Sequence, residues 1–589
     1  MNVDKWCTDL SYKLQHIRLL PLWLSLLAEF AVIYDFGFDK PGQHQVFLFW
    51  FYFITIIVGA VSLLLRYFSR HNRPRKSVWL FDVLLFLFLL ALLIDILEWT
   101  DLKLSNVPHW LYLGLFLIFV REFSTFTINY KKRYLNPAQL FVLSFLLIVF
   151  AGSVLLTLPH ATYSGITLVD ALFTATSAVC VTGLIVVDTA TYFTPFGQFI
   201  LLLLIQLGGI GIMTFTSYFS YFFKGESSYE NQLMLSDMTN SKKISEVYET
   251  FKRIILLTIA IEAIGAVFIF FSVDRSLFDT ATQRIFFSAF HSVSGFCNAG
   301  FSTLSNGLFQ SGFRFNYSLH LILAFLLIIG GLGFPIVFNF FSYLKYVILK
   351  KILPITSGKA SVSLPWIIHL NTRIVIITTL ALIVGGTTLV FVFEYDNTLA
   401  PHSLSGKIVT AFFSAVTPRT AGFNTVDFGA MRITTLMLVL FLMFVGASPS
   451  STGGGIKTST LALAILNSLS LARGKSRIEV YNKEISVVSI QRAFAIIALS
   501  ILTIGIATVL LVSLEKDLGI MPVVFETVSA YSTVGLSMGI TGQLSNAGKM
   551  VLVVTMFIGR VSMLTILASM LRSIKHQNYT YPVEGILIN

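Results

Sequence analysis

Apolar and polar positions fall in long blocks along this chain. A helix needs about 20 apolar residues to cross a hydrocarbon core of roughly 30 Å. Runs of that length recur throughout, the first four near Leu19–Phe38, Val46–Phe68, Val78–Trp99 and Trp110–Phe126. The polar segments between them alternate in charge. Arg66, Arg70, Arg73, Arg75 and Lys76 crowd one, Glu98 and Asp101 with a single Lys103 mark the next, and Lys131, Lys132 and Arg133 follow. Cytoplasmic loops carry the excess of Lys and Arg. That rule predicts a cytoplasmic N-terminus and an even number of crossings before Asn136.

From Pro137 the pattern changes. A long apolar span is followed by a shorter, less apolar segment ending in glycine, and then by a second long span. This happens four times: Ala138–Leu158, Leu168–Gly183 and Phe196–Phe223; Ile254–Ser272, Thr282–Gly300 and Leu319–Leu349; Ile374–Phe393, Leu404–Gly422 and Ile433–Leu471; Ala493–Leu514, Pro522–Gly535 and Lys549–Ile574. The connectors Lys224–Arg253, Lys345–Arg373 and Arg473–Arg492 are basic, so each middle segment is expected to enter from outside and return outside. The expected fold is an all-α membrane protein. Residues 1–136 form additional N-terminal transmembrane helices, and 137–223, 254–349, 374–471 and 493–574 form four repeats around a pseudo-fourfold pore. Residues 575–589 form a cytoplasmic tail.

The middle segments end alike: Ser177-Ala-Val-Cys-Val-Thr-Gly183, Ser294-Gly-Phe-Cys-Asn-Ala-Gly300, Val416-Thr-Pro-Arg-Thr-Ala-Gly422 and Ala530-Tyr-Ser-Thr-Val-Gly535. The glycines follow one another at intervals of 117, 122 and 113 residues. A near-constant period with one preserved motif marks a duplicated unit. A second landmark comes about 24 to 30 residues after each glycine: Gly208-Gly209, Gly330-Gly331, Gly446-Ala447 and Gly559-Arg560. Ordinary loop glycines would not repeat with a helix-like lead and a matched return span.

Composition narrows the class. Of 589 residues, 55% are hydrophobic and 12% charged, against about 25% charged in a soluble domain. With a mean hydropathy of +0.81, a soluble enzyme is excluded. Lys and Arg number 41 and Asp and Glu 29, a net charge of +12. In so apolar a chain that surplus belongs to cytoplasmic loops rather than to a nucleic-acid surface. Cys7, Cys180 and Cys297 are too few for a disulfide framework or a zinc cluster. No His, Asp, Glu and Ser converge in the repeats as a membrane-embedded enzyme would require.

Non-helical backbone is tolerated at membrane depth only where it is buried or lines water. A helix that stops midway aims its negative C-terminal end at the pore centre. Glycine there reaches positive φ freely, and four such strands can ring a cation with carbonyl oxygens. No carboxylate lies inside the four motifs. Asp170 and Glu526, on the short helices, read as dipole or packing support.

The motifs Thr176–Leu184, Asn298–Phe301, Arg419–Phe423 and Ser532–Ser537, with the tail Tyr581-Pro-Val-Glu-Gly-Ile-Leu587, resemble the bacterial Ktr/Trk potassium-uptake superfamily over about residues 137–589. The resemblance implies a potassium filter made mainly of main-chain carbonyls at Val181, Thr182 and Gly183, Asn298, Ala299 and Gly300, Thr420, Ala421 and Gly422, and Thr533, Val534 and Gly535. It also implies a homodimer in the lipid of a prokaryotic plasma (inner) membrane, with a cytosolic ring of nucleotide-binding (RCK-type) regulatory subunits. Potassium is the transported ion, and neither a covalent cofactor nor nucleic acid is expected. In the superfamily, serine at the first filter glycine is associated with sodium permeation. Glycine at all four positions therefore implies potassium preference. A sodium- or proton-coupled symporter, or a sodium-permeable member of the same superfamily, stays open as an alternative.

Ile433–Leu471 is far longer than the bilayer requires. Its middle, Gly446, Ala447, Ser448, Pro449, Ser450, Ser451, Thr452, Gly453, Gly454 and Gly455, breaks a helix through proline and glycine. Ile456 separates Gly455 from Lys457, which excludes a phosphate-binding loop. The resemblance implies an intramembrane gating loop here, with Lys457 beside it. It also implies that Arg560, inside the apolar run Val551–Leu567, is an electrostatic barrier below the filter. Family members commonly continue with Gly-Pro where this chain has Ser562-Met563. In residues 1–136 the fourth span carries only Arg121, too little for a voltage sensor. Glu29, Asp82 and Asp95 lie within apolar spans and are candidates to pair with it. The expected role is a packing or partner-docking bundle.

Overall fold

A computed structural model describes residues 3–38, 42–68, 76–96, 108–124, 137–224, 246–344, 369–449, 451–475 and 477–570. Ser450, the loop cations of residues 69–75 and 131–133, the Glu98–Lys103 segment, most of the first two connectors and the tail motif 581–587 lie outside them. The chain forms two compact units, residues 1–129 with 158–160, and the remainder.

The first unit contains α1 (Val3–Gly37), α2 (Gly42–Phe68), α3 (Lys76–Ile96) and α4 (Pro108–Phe123). Ala28, Tyr52, Ile56, Leu89, Leu92 and Leu115 form its core. Its outside is just as apolar, with Trp23, Phe30, Phe47 and Leu84 exposed, as suits contact with lipid. Arg121 Nε and Nη2 grip both carboxylate oxygens of Asp82, the second bond at 2.7 Å, and Tyr67 donates to the same carboxylate at 2.6 Å. Of the three acids expected as partners, Asp82 takes that place. Breaking a buried pair by removing one partner leaves an uncompensated charge, at about 3–5 kcal/mol. Asp82→Ala is therefore expected to lower the thermal midpoint markedly while leaving ion selectivity unchanged. A shift in the potassium-to-sodium flux ratio of the purified variant would contradict this purely structural role.

The second unit repeats one plan four times. The long first helices are α5 (Pro137–Leu156), α8 (Glu246–Ser272), α12 (Leu370–Glu394) and α16 (Val487–Leu514). The short helices are α6 (Leu168–Val179), α9 (Ala281–Cys297), α13 (Leu404–Val416) and α17 (Ile520–Ser532). The return segments are α7 (Pro195–Lys224); α10 (Tyr317–Leu332) with α11 (Phe334–Leu344); α14 (Ile433–Phe444) with α15 (Thr458–Ala472); and α18 (Asn546–Val561) with α19 (Met563–Met570). The only strands among the described residues are β1 (Glu479–Val480) and β2 (Lys483–Glu484), a hairpin turned by Tyr481 and Asn482 at positive φ.

Two return spans expected to be continuous are broken. Within Leu319–Leu349 the chain bends by 104° between α10 and α11. Gly333 takes φ +81° there, and Pro335, lacking an N–H, cannot bond back into α10. Within Lys549–Ile574 the break falls at Ser562, φ +76°. An apolar run reports depth in the membrane and is blind to a reversal at one residue.

Packing closes the repeats into a circuit. Short helix α9 lies on return helix α7, α13 on α10, α17 on α14, and α6 on α18. Each short helix thus rests on the return helix of the preceding repeat, and the first rests on the last. Lys549 Nζ meets Asp170 Oδ1 at 2.6 Å across that final junction.

Candidate functional site

The site begins at the C-terminal ends of the short helices. Their N-termini are held by Thr167, Thr280 and Ser403, whose hydroxyls accept from Asp170 N, Gln283 N and Gly406 N. Each C-terminal end then reverses hand. Val181, Asn298, Thr420 and Thr533 have φ of 55°, 60°, 71° and 49°, and the glycine two residues later has φ of 91°, 70°, 80° and 89°. A left-handed conformation costs a non-glycine residue about 1–2 kcal/mol, and three of these four are β-branched. Strain recurring at one repeat position marks a site that the surrounding fold imposes.

In repeats one, two and four the reversal is a Schellman cap. Thr182 N donates to Ser177 O, Ala299 N to Ser294 O and Val534 N to Ser529 O, at 2.8–2.9 Å. The third repeat departs from this pattern. Pro418 has no N–H, and Ala421 N and Gly422 N both reach Thr417 O instead.

The four glycines meet one another. A Cβ built on Gly183 would strike Ala299 O and Gly300 Cα; on Gly300, Ala421 O and Gly422 Cα; on Gly422, Val534 O and Gly535 Cα; on Gly535, Thr182 O and Gly183 Cα. This circuit closes in sequence order. The carbonyl oxygens of Thr182, Ala299, Ala421 and Val534 line it, and no position has room for a methyl group. Val181, Thr182, Asn298, Ala299, Thr420, Ala421, Thr533 and Val534 are all buried. No cluster of His, Cys, Asp or Glu suited to a metal occurs among the described residues. The chemistry available is therefore that of main-chain oxygens.

Hydroxyls behind the ring escaped the sequence reading. Ser177 Oγ accepts from Gly183 N and Ser529 Oγ from Gly535 N, each at 3.1 Å. Ser294 Oγ donates to Phe301 O at 2.7 Å, and Thr417 Oγ1 to Phe423 O at 2.6 Å. The signal was a serine six residues before three of the four glycines, shifted by one to Thr417 in the third. Ser529→Ala strands the Gly535 N–H at about 1–3 kcal/mol. It is expected to weaken cation affinity several-fold in an uptake titration, at unchanged protein yield.

Below the ring, the segment between α14 and α15 is a loop. Val445 and Ile456 bridge each other at its ends. Ser448 N donates to Gly331 O at 2.9 Å, Thr452 Oγ1 to Phe296 O at 3.4 Å, and Gly454 N to Thr533 Oγ1 at 3.0 Å. Lys457 Nζ donates to Gly453 O at 2.5 Å. Arg560 is buried and donates to Thr452 O and, at 2.8 Å, to Gly208 O. The second landmarks of all four repeats thus gather at one level. Gly208, Gly330 and Gly559 press against the backbones of Val179, Phe296 and Tyr531, and a Cβ on Gly446 would meet Thr420. Small residues recur there because each return segment crosses the end of a short helix. Asp170 and Glu526 stand apart: the former pairs with Lys549, and the latter accepts from Ser537 and Thr541.

Comparison with known proteins gives the same direction. The cation transport protein family TrkH matches residues 111–580. The chain is 34% identical over 466 residues to the potassium/sodium uptake protein NtpJ of Enterococcus hirae, covering 78% of this chain and 98% of that protein. It is 34% identical over 449 residues to the Ktr system potassium uptake protein B of Bacillus subtilis, covering 76% and 95%. In fold it is similar to the potassium transporter TrkH of Vibrio parahaemolyticus, with a TM-score of 0.59 and 18% identity over 94% of this chain and 97% of that one. A family match over most of the chain, and relatives covered almost end to end, establish that this multi-pass membrane protein belongs to the TrkH family of cation transport proteins, as a Ktr/Trk-type membrane subunit and not an enzyme.

Proposed function

We propose that the chain carries potassium ions across the membrane through the ring formed at Gly183, Gly300, Gly422 and Gly535. The observation that carries this reading is the closed circuit of glycine-to-carbonyl contacts. Carbonyl oxygens replace the hydration shell of a potassium ion, and four helix C-termini add favourable negative potential. Residues 137–223, 254–349, 374–471 and 493–574 act as four equivalent filter-bearing repeats. The relatives named for potassium uptake support the choice of ion, and four glycines without a serine support potassium over sodium. The loop 446–455, with Lys457 and Arg560, closes the path from the cytoplasmic side. Its bonds to the second and fourth short-helix ends, and its packing against Thr420 at the third, support that role. Removing residues 446–455 is expected to raise basal flux. In this reading the protein works in a prokaryotic inner membrane as a homodimer, on a cytosolic nucleotide-binding ring, with both termini cytoplasmic. The name of the Enterococcus relative favours one second reading, passage of sodium as well. Rubidium uptake into liposomes bearing the purified protein, with sodium as competitor, separates the two. Rubidium uptake unaffected by equimolar sodium is expected, and equal rates for the two ions would end the potassium-selective reading.

A further inference from the structure

Among the described residues of the pore unit, three glutamates are buried: Glu262, Glu394 and Glu526. They differ in how their charge is met. Glu394 accepts from Arg432 N at 3.0 Å, Thr435 Oγ1 at 2.5 Å, Asn397 Nδ2 at 2.7 Å and Thr398 Oγ1 at 2.9 Å. Glu526 accepts from two hydroxyls. Glu262, midway along α8, has one amide and one thiol. Gln206 Nε2 donates to its Oε2 at 3.0 Å, and Cys297 Sγ lies 3.7 Å from its Oε1. It is 7% exposed. Among the described residues no Lys, Arg or His nitrogen lies within 4.0 Å of it. An acid inside a membrane span, held by neutral partners, is a candidate to carry a proton.

The position of the cluster gives that proton a consequence. Gln206 belongs to the first repeat's return helix, and Cys297 immediately precedes Asn298, the strained residue of the second filter strand. Ser292 Oγ also donates to Glu262 O at 2.6 Å, fixing α9 to α8. The remaining ionisable groups nearby are otherwise engaged. On α9, Arg284 bonds to Phe270 O and Val273 O, and His291 to Phe287 O and Ser302. On α10, Tyr317 and His320 lie at the far end, on His402 and Phe313 O. The described side chains of α7 carry none. Arg560 is engaged by Thr452 O and Gly208 O.

We propose that Glu262 is a proton-binding site at the junction of the first two repeats, and that its proton and a potassium ion in the adjacent ring each weaken the other's binding. An ionised Glu262 adds negative charge behind the second filter strand and strengthens cation binding, and protonation removes it. By linkage the effect is reciprocal. The coupling half of this proposal rests on the carbonyl-ring reading above; the proton site itself does not.

Two measurements on the full-length protein in liposomes test it. The first is the infrared difference between wild type and Glu262→Gln. A carboxylic-acid C=O band present in wild type, diminished by added potassium and missing in the variant, is expected. Absence of any such difference overturns the proton site. The second is apparent rubidium affinity against pH. Wild type should bind roughly tenfold more tightly on the alkaline side, whereas Glu262→Gln should stay at the weak acid-side value at every pH. Glu262→Asp, which keeps an acid, should retain a pH dependence and controls for misfolding. If the pH dependence is the same in Glu262→Gln as in wild type, the coupling is overturned. If rubidium is not bound at all, the carbonyl-ring reading fails while the infrared result still decides the proton site.

Discussion

Gly535→Ala is expected to reduce rubidium uptake by roughly a hundredfold without loss of folded protein. Two costs combine at this position. The residue sits at φ +89°, where a side chain is strained by about 1–2 kcal/mol. Its Cβ would also fall on Thr182 O and lie 2.9 Å from Gly183 Cα. Both neighbours are backbone, so they cannot rotate away as a side chain would, and forced packing costs about 1–3 kcal/mol. Every 1.4 kcal/mol is about tenfold, which sets the expected size. The displaced atom is a ring carbonyl, so transport suffers rather than stability alone. Gly165→Ala separates the two costs. Gly165 also has positive φ, +77°, but nothing lies within 4 Å of its Cβ position. That variant should lose a little thermal stability and keep full uptake. Wild-type uptake by Gly535→Ala would mean that ions do not pass through the ring.

Arg560→Ala is expected to raise basal rubidium flux at least roughly tenfold. The guanidinium spans Thr452 O on the loop and Gly208 O on the first return helix. Hydrogen bonds from a charged donor contribute about 1.5–3 kcal/mol each. Losing both removes about 3–6 kcal/mol from the arrangement that holds the loop under the ring, together with a positive charge on the proposed cation path. Arg560→Lys distinguishes the two contributions, since lysine keeps the charge and loses the planar fork. Flux near that of wild type in the lysine variant would assign the barrier to charge, and flux near that of alanine would assign it to the tether. If Arg560→Ala instead lowers flux along with thermal stability, the arginine is a structural pillar and not part of a gate.

Several features needed only the chain. The apolar runs give the helices and the membrane, because burying a backbone in hydrocarbon requires helical hydrogen bonding over about 20 residues. The intervals between Gly183, Gly300, Gly422 and Gly535 announce duplication, and the second landmarks at Gly208, Gly330, Gly446 and Gly559 align with it. Pro449 and the run Gly453–Gly455 mark the break between α14 and α15. Other features depended on residues far apart in sequence. The order in which each glycine faces the next strand and the reach of Arg560 to Thr452 and Gly208 are contacts across 108 residues or more. The bend at Gly333 and the break at Ser562 hide inside apolar runs.

Sequence by itself determined the helices, their fourfold recurrence and the glycine positions, because these follow from local hydrogen bonding and steric freedom. Only the tertiary structure decided that four strained strands converge, that the loop at 446–455 lies against their ends, and that Glu262 is buried with no cationic partner among the described residues. Those facts depend on which side chains and carbonyls meet when separate repeats close on one another, and local patterning carries no record of that meeting.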